Sequence, residues 1–231
     1  MMDRYQFNRL LAGAARDMAD EPGTQLTLDR AVLMATDIIE NCDLAGISLV
    51  HRSGIDTPAA SHKTLRQIDE LQYELNEGPC LDALNQTDVL AVTNLAEDPR
   101  WPNWGPRIAA ELDVHSSMSF RLFTTGENLG VLNLYATKID AFSHEDLLDG
   151  LALAAHAAVA LVGTIEEDQL HRALDTRRMI GEATGILRER FGLTTDQAWG
   201  VLRRISSQHN IKLHRVAQQL VDFGTLPDNN G

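Results

Sequence analysis

Positive charge, cysteine and long hydrophobic runs are what this sequence has least of. Cys42 and Cys80 are the only cysteines. They are too few for a disulfide framework and lie far from any zinc-ligand spacing, so no metal is expected. No uninterrupted apolar run approaches the roughly 18–20 residues of a membrane span. The most apolar stretch, 147–165, is broken by Asp149, His156, Gly163 and Thr164. The first residues, Met1 to Gln6, lack the apolar core of a signal peptide, which makes the cytoplasm the expected location. Only 20 Lys and Arg stand against 33 Asp and Glu, a formal net charge of -13. That balance excludes a protein that coats nucleic acid with its whole surface.

What is present divides in two. A hydrophobic content of 44% over 231 residues supports buried cores in one large or two modest domains. Between His171 and Asp222, however, Arg172, Arg177, Arg178, Arg188, Arg190, Arg203, Arg204, Lys212 and Arg215 outnumber Asp175, Glu182, Glu189, Asp196 and Asp222. A locally basic end on an acidic body implies two jobs.

Periodicity places the elements. Amphipathic helices are expected near 3–18 and 26–41. Alternation through Gly46-Ile47-Ser48-Leu49-Val50-His51 reads as a half-buried strand, followed after Ser53-Gly54 by a strand over Thr57–Ala60, with Pro58 marking an edge. Leu65, Ile68, Leu71 and Leu75 stripe a helix over 64–75. Val89–Val92 is a brief strand, and 117–123 with 129–136 a hairpin across Thr125-Gly126-Glu127-Asn128. Ser143-x-x-Asp146 then opens a long helix as a capping box. Its Leu147, Leu151, Ala154, Ala158, Leu161 and Ile165 fit either a coiled-coil seam or a helix packed on its own sheet. Thr194-x-x-Gln197 caps a further helix, and Leu213, Val216, Ala217 and Leu220 stripe the last. The fold class is α+β, with an antiparallel sheet, a long helix and a small helical bundle.

Ala173-Leu174-x-x-Arg177-x-x-Ile180-x-x-Ala183-x-Gly185-x-Leu187 and Ala198-x-x-x-Leu202-Arg203-x-x-Ser206-x-x-x-Asn210-x-Lys212-Leu213-x-x-Val216-Ala217 resemble the two halves of an ANTAR domain. The resemblance implies binding to paired RNA stem-loops that prevents formation of a transcription terminator. On a helical projection Arg177, Gly181, Thr184 and Arg188 share a stripe, two guanidiniums flanking small residues that let a phosphate backbone come close. Gly185 belongs to the same motif. Arg203, Ser206, Asn210, Lys212 and Arg215 add polar and basic groups around the following turn. The family usually carries Lys where this chain has Thr184. Arg188, one turn on, is positioned to cover that spot, because helical side chains lean toward the N-terminus.

The segment Ile68-Asp69-Glu70-Leu71-Gln72-Tyr73-Glu74-Leu75-Asn76-Glu77-Gly78-Pro79-Cys80-Leu81-Asp82-Ala83, with Asp98-Pro99-Arg100-Trp101-Pro102 and Leu129-Gly130-Val131-Leu132-Asn133-Leu134-Tyr135, resembles a GAF domain of the actinobacterial type that precedes ANTAR. This implies a six-stranded antiparallel sensor sheet with a ligand cleft. Tyr73, Cys80, Trp101 and Trp104 are the candidate ligand-binding residues. Thr137-Lys138…Phe142…Asp146 matches a cyclic-nucleotide signature only in part. His51, His62, His115, His144 and His156 form no haem motif, and Cys80 lacks the neighbouring His of a bilin site. No cofactor is expected, and an unidentified small ligand stays open.

The expected organisation is an N-terminal helix over 1–24, a GAF sensor over 25–165 ending in a coiled-coil-like helix, an ANTAR domain over 166–225 and a disordered tail over 226–231. The expected function is sensor-controlled, RNA-binding transcription antitermination by a homodimer joined through helix 143–165, without catalytic residues and acting on the transcription machinery indirectly. Two alternatives remain. One is a helix-turn-helix DNA reader using 197–207 and 213–221. The other is a thiol redox enzyme in which a helix N-terminus activates Cys80.

Overall fold

The computed structural model describes residues 4–51, 54–85, 88–124 and 128–227. The expected helix start at Asp3, the turn residues Ser53 and Thr125 to Glu127, and the tail from Asp228 lie outside these. In chain order the elements are α1 (Arg4–Asp20), α2 (Thr24–Ile38), β1 (Leu44–His51), β2 (Gly54–Ala60), α3 (Thr64–Leu75), α4 (Pro79–Asn85), β3 (Val89–Val92), a 3-10 turn (Leu95–Glu97), α5 (Trp104–Leu112), β4 (Ser116–Phe123), β5 (Asn128–Ala136), α6 (His144–Phe191), α7 (Thr195–Gln208) and α8 (Leu213–Phe223). Two compact units result, Met1–Glu166 and Glu167–Gly231.

In the first unit the strands form one antiparallel sheet in the order β2-β1-β5-β4-β3. Five strands are present among the described residues, where the GAF resemblance implied six. Pro58 sits in β2, an edge strand, where its missing N–H leaves no gap in the ladder. Strand alternation gives the sheet two different faces. Ala45, Ile47 and Leu49 of β1, Met118, Phe120 and Leu122 of β4, and Leu132 and Leu134 of β5 make the main core with α1, α2 and α6. In α1, Phe7, Leu11, Ala14 and Met18 recur at spacings of four and three and are buried. Arg30 in α2 reaches back to Asp17 at 2.8 Å. The opposite face is covered by α3, the 3-10 turn and α5 through Leu65, Ile68, Leu95, Trp101, Trp104 and Ile108.

The Ser143 box forms as expected: the Ser143 N–H donates to Asp146 Oδ2 at 2.7 Å, and the Asp146 N–H to Ser143 Oγ at 3.1 Å. Gly150 then lets α6 settle on β4, since a Cβ there would lie 2.4 Å from the Phe120 ring. Ala154, Ala158 and Leu161, half of the anticipated coiled-coil seam, are buried in the core that the sheet shares with α1 and α2. The stripe left outside is rotated from it: Leu148 and Leu151 are 41% exposed and Val159 is 69% exposed, with Ala155 between them also exposed. The apolarity of this helix is greater than expected from its interruptions. A window within His144–Phe191 has mean hydropathy 1.7, so by length and composition alone the helix could cross a membrane, although 39% of that window is buried in the fold. The reason is that Gly163 and Thr164 interrupt the run without adding charge.

In the second unit the first bundle helix is no separate element. It is the C-terminal part of the 48-residue α6, because neither proline nor glycine cap interrupts the chain before Gly192. Gly192 ends it with φ 65° and its N–H donating to Arg188 O at 2.9 Å. Ala183, Leu187, Ala198, Leu202, Val216, Ala217 and Leu220 form the core. Thr194 and Gln197 make a reciprocal capping box on α7. Arg190 donates to Gly224 O at 2.5 Å, a cation at the C-terminal end of α8.

Candidate nucleic-acid interface and sensor cleft

On α6, one side of the helix is buried through Ala183, Thr184 and Leu187, with Ile180 half-buried beside them, and the other is open. Arg177, Arg178, Gly181, Gly185 and Arg188 lie on the exposed side. A Cβ at Gly181 or Gly185 would meet nothing within 4 Å. Thr184 is the member of the expected stripe that turns away: it is buried, and its hydroxyl donates to Ile180 O at 2.7 Å. The small hydroxyl completes the bundle edge, and the outward surface it was expected to share belongs to the two glycines and Arg188. Among the described residues Arg177, Arg188, Arg203, Lys212 and Arg215 enter no ion pair; Arg178 faces Glu182 at 3.9 Å. This uncommitted positive charge is available to an anion.

Two polar residues near the turn have local work. Ser206 Oγ donates to Ile211 O at 2.6 Å, closing the connection between α7 and α8. Asn210 holds φ 52°, a left-handed conformation that Asn tolerates better than most residues. Arg203, Lys212 and Arg215 are exposed around that turn. On α8, Gln218 donates to Asp222 at 2.6 Å, which ties up one of the side chains a DNA-reading helix would need.

In the first unit, the sheet face beneath α3 is polar and buried. Ser48, Asp69, Gln72, Ser117, Ser119 and Asn133 are all 2% exposed or less. Asp69 accepts from Thr57 Oγ1 at 2.5 Å, from Ser48 Oγ at 3.4 Å and from Gln72 Nε2 at 3.0 Å. Gln72 also donates to the Tyr135 hydroxyl at 3.3 Å and accepts from the Cys80 N–H at 2.9 Å. Gly78 (φ 136°) makes room for this amide, because a Cβ there would lie 2.2 Å from Gln72 Oε1. Ser119 donates to Asn133 at 2.7 Å, and Asn133 to Ser48 at 3.3 Å. Ser117, two residues along the same strand face, has a buried hydroxyl with no partner among the described residues. A cavity of about 150 Å³ opens at one end of this network, lined by Thr57, Arg66, Asp69, Glu70 and Tyr73. Burial without a cationic partner raises the Asp69 carboxyl to about 6, against the downward pull of Thr57, Ser48 and Gln72.

Of the four expected ligand residues, Tyr73 lines that cavity, its hydroxyl 3.4 Å from Thr57 Oγ1. Trp101 and Trp104 are buried, edge-to-face at 5.6 Å, with indole N–H groups donating to Asp82 and Ile68 O. They anchor the loop before α5, whose first N–H groups are capped by Glu77. Cys80 is fully buried, and that burial pushes its thiol up to about 12 rather than down, so the helix N-terminus does not activate it. Cys42 sits in the core on the other face of the sheet and is likewise pushed to about 12. Sequence reasoning missed Asp69 and its partners. Leu65, Ile68, Asp69 and Gln72 fall at i, i+3, i+4 and i+7, so the carboxyl and the amide share the helix face that the leucine and isoleucine bury.

Known folds agree with this division. The first unit resembles the GAF domain of a phosphoenolpyruvate-protein phosphotransferase from Coxiella burnetii, at 16% identity and TM-score 0.60 over 73% of this chain and 99% of that one. The corresponding GAF domain from Acinetobacter gives 14% identity and TM-score 0.56, covering 73% of this chain and 99% of that one. A free methionine-R-sulfoxide reductase from Neisseria meningitidis gives 16% identity and TM-score 0.54, covering 72% and 95%. At these identities the likeness is one of fold. No curated protein sequence matches the chain. The GAF domain family matches residues 25–162 and the ANTAR domain family residues 168–221. The chain therefore belongs to the GAF family and carries an ANTAR domain C-terminal to its GAF domain, the architecture of a GAF–ANTAR regulator.

Proposed function

We propose that the chain is an RNA-binding antitermination regulator that grips paired stem-loops through the exposed side of α6 and the α7–α8 turn, under control of the sensor unit. The observation that carries this reading is the pair of exposed, uncrowded glycines, Gly181 and Gly185, set between Arg177 and Arg188. Mid-helix glycine costs stability, and nothing in the bundle requires it at either position. A phosphate backbone lying against the helix does require it, with the guanidiniums closing on phosphate oxygens from both sides. Arg188 supplies the positive charge on this side, while Thr184 packs into the bundle.

The active species is a dimer. The outward stripe Leu148, Leu151, Ala155 and Val159 is apolar at spacings of three and four. From Glu167 to Arg178, α6 has no fully buried residue, and Leu170 and Leu174 are more than half exposed. A second copy covers both stretches and presents two ANTAR modules to two adjacent hairpins, raising affinity through effective concentration. The helix joining sensor and reader contains no flexible break, so occupancy of the sensor biases the pairing of the two copies. Burial pushes the Cys80 thiol up to about 12, which argues against the thiol redox alternative.

Binding to stem-loop RNA as a function of salt tests the assignment. Arg188→Ala is expected to lower the slope of log affinity against log salt by about one, as one phosphate contact is lost. An unchanged affinity and slope would remove Arg188 from the interface.

A further inference from the structure

Asp69 is a carboxyl that is 2% exposed, lines a cavity, and has only neutral donors around it. Buried charges in folded proteins are ordinarily met by an opposite charge. No Lys, Arg or His reaches this one among the described residues. The counter-charge is therefore to be supplied from the cavity side. Arg66, exposed and also lining the cavity, has a guanidinium that enters no ion pair among the described residues, which leaves one positive group at the rim and one negative group deep inside. The space of about 150 Å³ favours a small occupant.

We propose that the sensor ligand is a compact zwitterion, its primary ammonium seated on Asp69 and Thr57 and its anionic group directed to Arg66. The inference rests on reading the first unit as a sensor. An ammonium has three donors to place. Asp69 Oδ2, the Thr57 hydroxyl oxygen and the Tyr73 hydroxyl oxygen supply three acceptors at the cavity wall. Tyr73 remains a neutral phenol there, because burial and the adjacent Asp69 push its ionisation upward. Glu70, on the same wall, adds negative potential at the mouth and favours entry of a cationic end. The polar layer behind, from Ser48 to Asn133 and Ser119, fixes the orientation of the Asp69 carboxylate as the ligand arrives.

Calorimetric titration of the full chain with L-alanine, ethanolamine and lactate separates the two ends of the ligand. Saturable binding of L-alanine, weaker binding of ethanolamine and none of lactate is the expected order. Asp69→Asn is expected to weaken L-alanine on the order of tenfold or more, as a charge-assisted contact is lost. Arg66→Ala, at an exposed position that leaves the fold intact, is expected to erase the advantage of L-alanine over ethanolamine. Lactate binding as well as L-alanine would overturn the ammonium assignment, and an undiminished advantage in Arg66→Ala would overturn the anionic end. Absence of binding by both amines to a chain that still recognises stem-loop RNA would overturn the ligand class alone, leaving the RNA reading in place.

Discussion

Asp69 is held in the folded chain against its own solvation. Its carboxyl rises from 3.8 to about 6 on folding, so the folded state binds this proton more readily than the unfolded state. The group's contribution is thus most favourable at low pH and is lost as pH rises from about 4 to about 6, amounting to about 3 kcal/mol against the fold at neutral pH. Asp69→Asn keeps an acceptor for Gln72, and the Thr57 and Ser48 hydroxyls can turn to accept from its amide. The variant is expected to melt higher than the parent at neutral pH and to lose the difference near pH 4, as a pair of calorimetric scans would show. A variant that melts lower at both would make Asp69 a structural keystone instead. Glycine argues the same way in the other unit. Gly181→Ala and Gly185→Ala should each stabilise the bundle by about 0.5–1 kcal/mol in thermal melts. Both should nevertheless bind stem-loop RNA more weakly. If stability and affinity rise together, the RNA does not lie on that side of the helix.

At the scale of elements, the chain's punctuation was readable in advance. Ser143/Asp146 and Thr194/Gln197 cap their helices through side chains only three residues apart. Gly192 ends α6, and Pro58 places β2 at an edge. Local chemistry of this kind needs no knowledge of the rest of the fold. What depends on distant partners was not readable. Ser48, Ser117, Ser119 and Asn133 alternate with apolar residues as solvent-facing positions do, and only the layer of α3 to α5 turns that face inward. The apolar seam of α6 likewise could not reveal whether a sheet or another helix would cover it. Ala154, Ala158 and Leu161 are buried in the first unit's core, so the dimer is expected on the stripe of Leu148, Leu151 and Val159. Val159→Glu should convert a sedimenting dimer to monomer without unfolding the sheet, whereas Ala158→Glu should unfold it. Dimerisation that survives Val159→Glu would move the interface elsewhere. Packing of α6 on β4 has its own check. Gly150→Val drives two methyls into the Phe120 ring and is expected to cost about 1–3 kcal/mol in chemical denaturation.

The whole molecule joins an acidic sensor to a small basic reader through one uninterrupted helix. Its net charge of -13 opposes indiscriminate attachment to nucleic acid, so the basic side of the bundle must act through fitted contacts and not bulk attraction. The proposed antitermination role calls for a preference for folded RNA over its unpaired sequence and over duplex DNA. The direct measurement is the affinity of the full chain, across a salt series, for an RNA with two adjacent stem-loops, its unpaired-sequence control and a DNA duplex. The account predicts clear preference for the paired stem-loops, with a salt slope that falls in Arg188→Ala. Equal affinity for all three, or preference for the duplex, would contradict it.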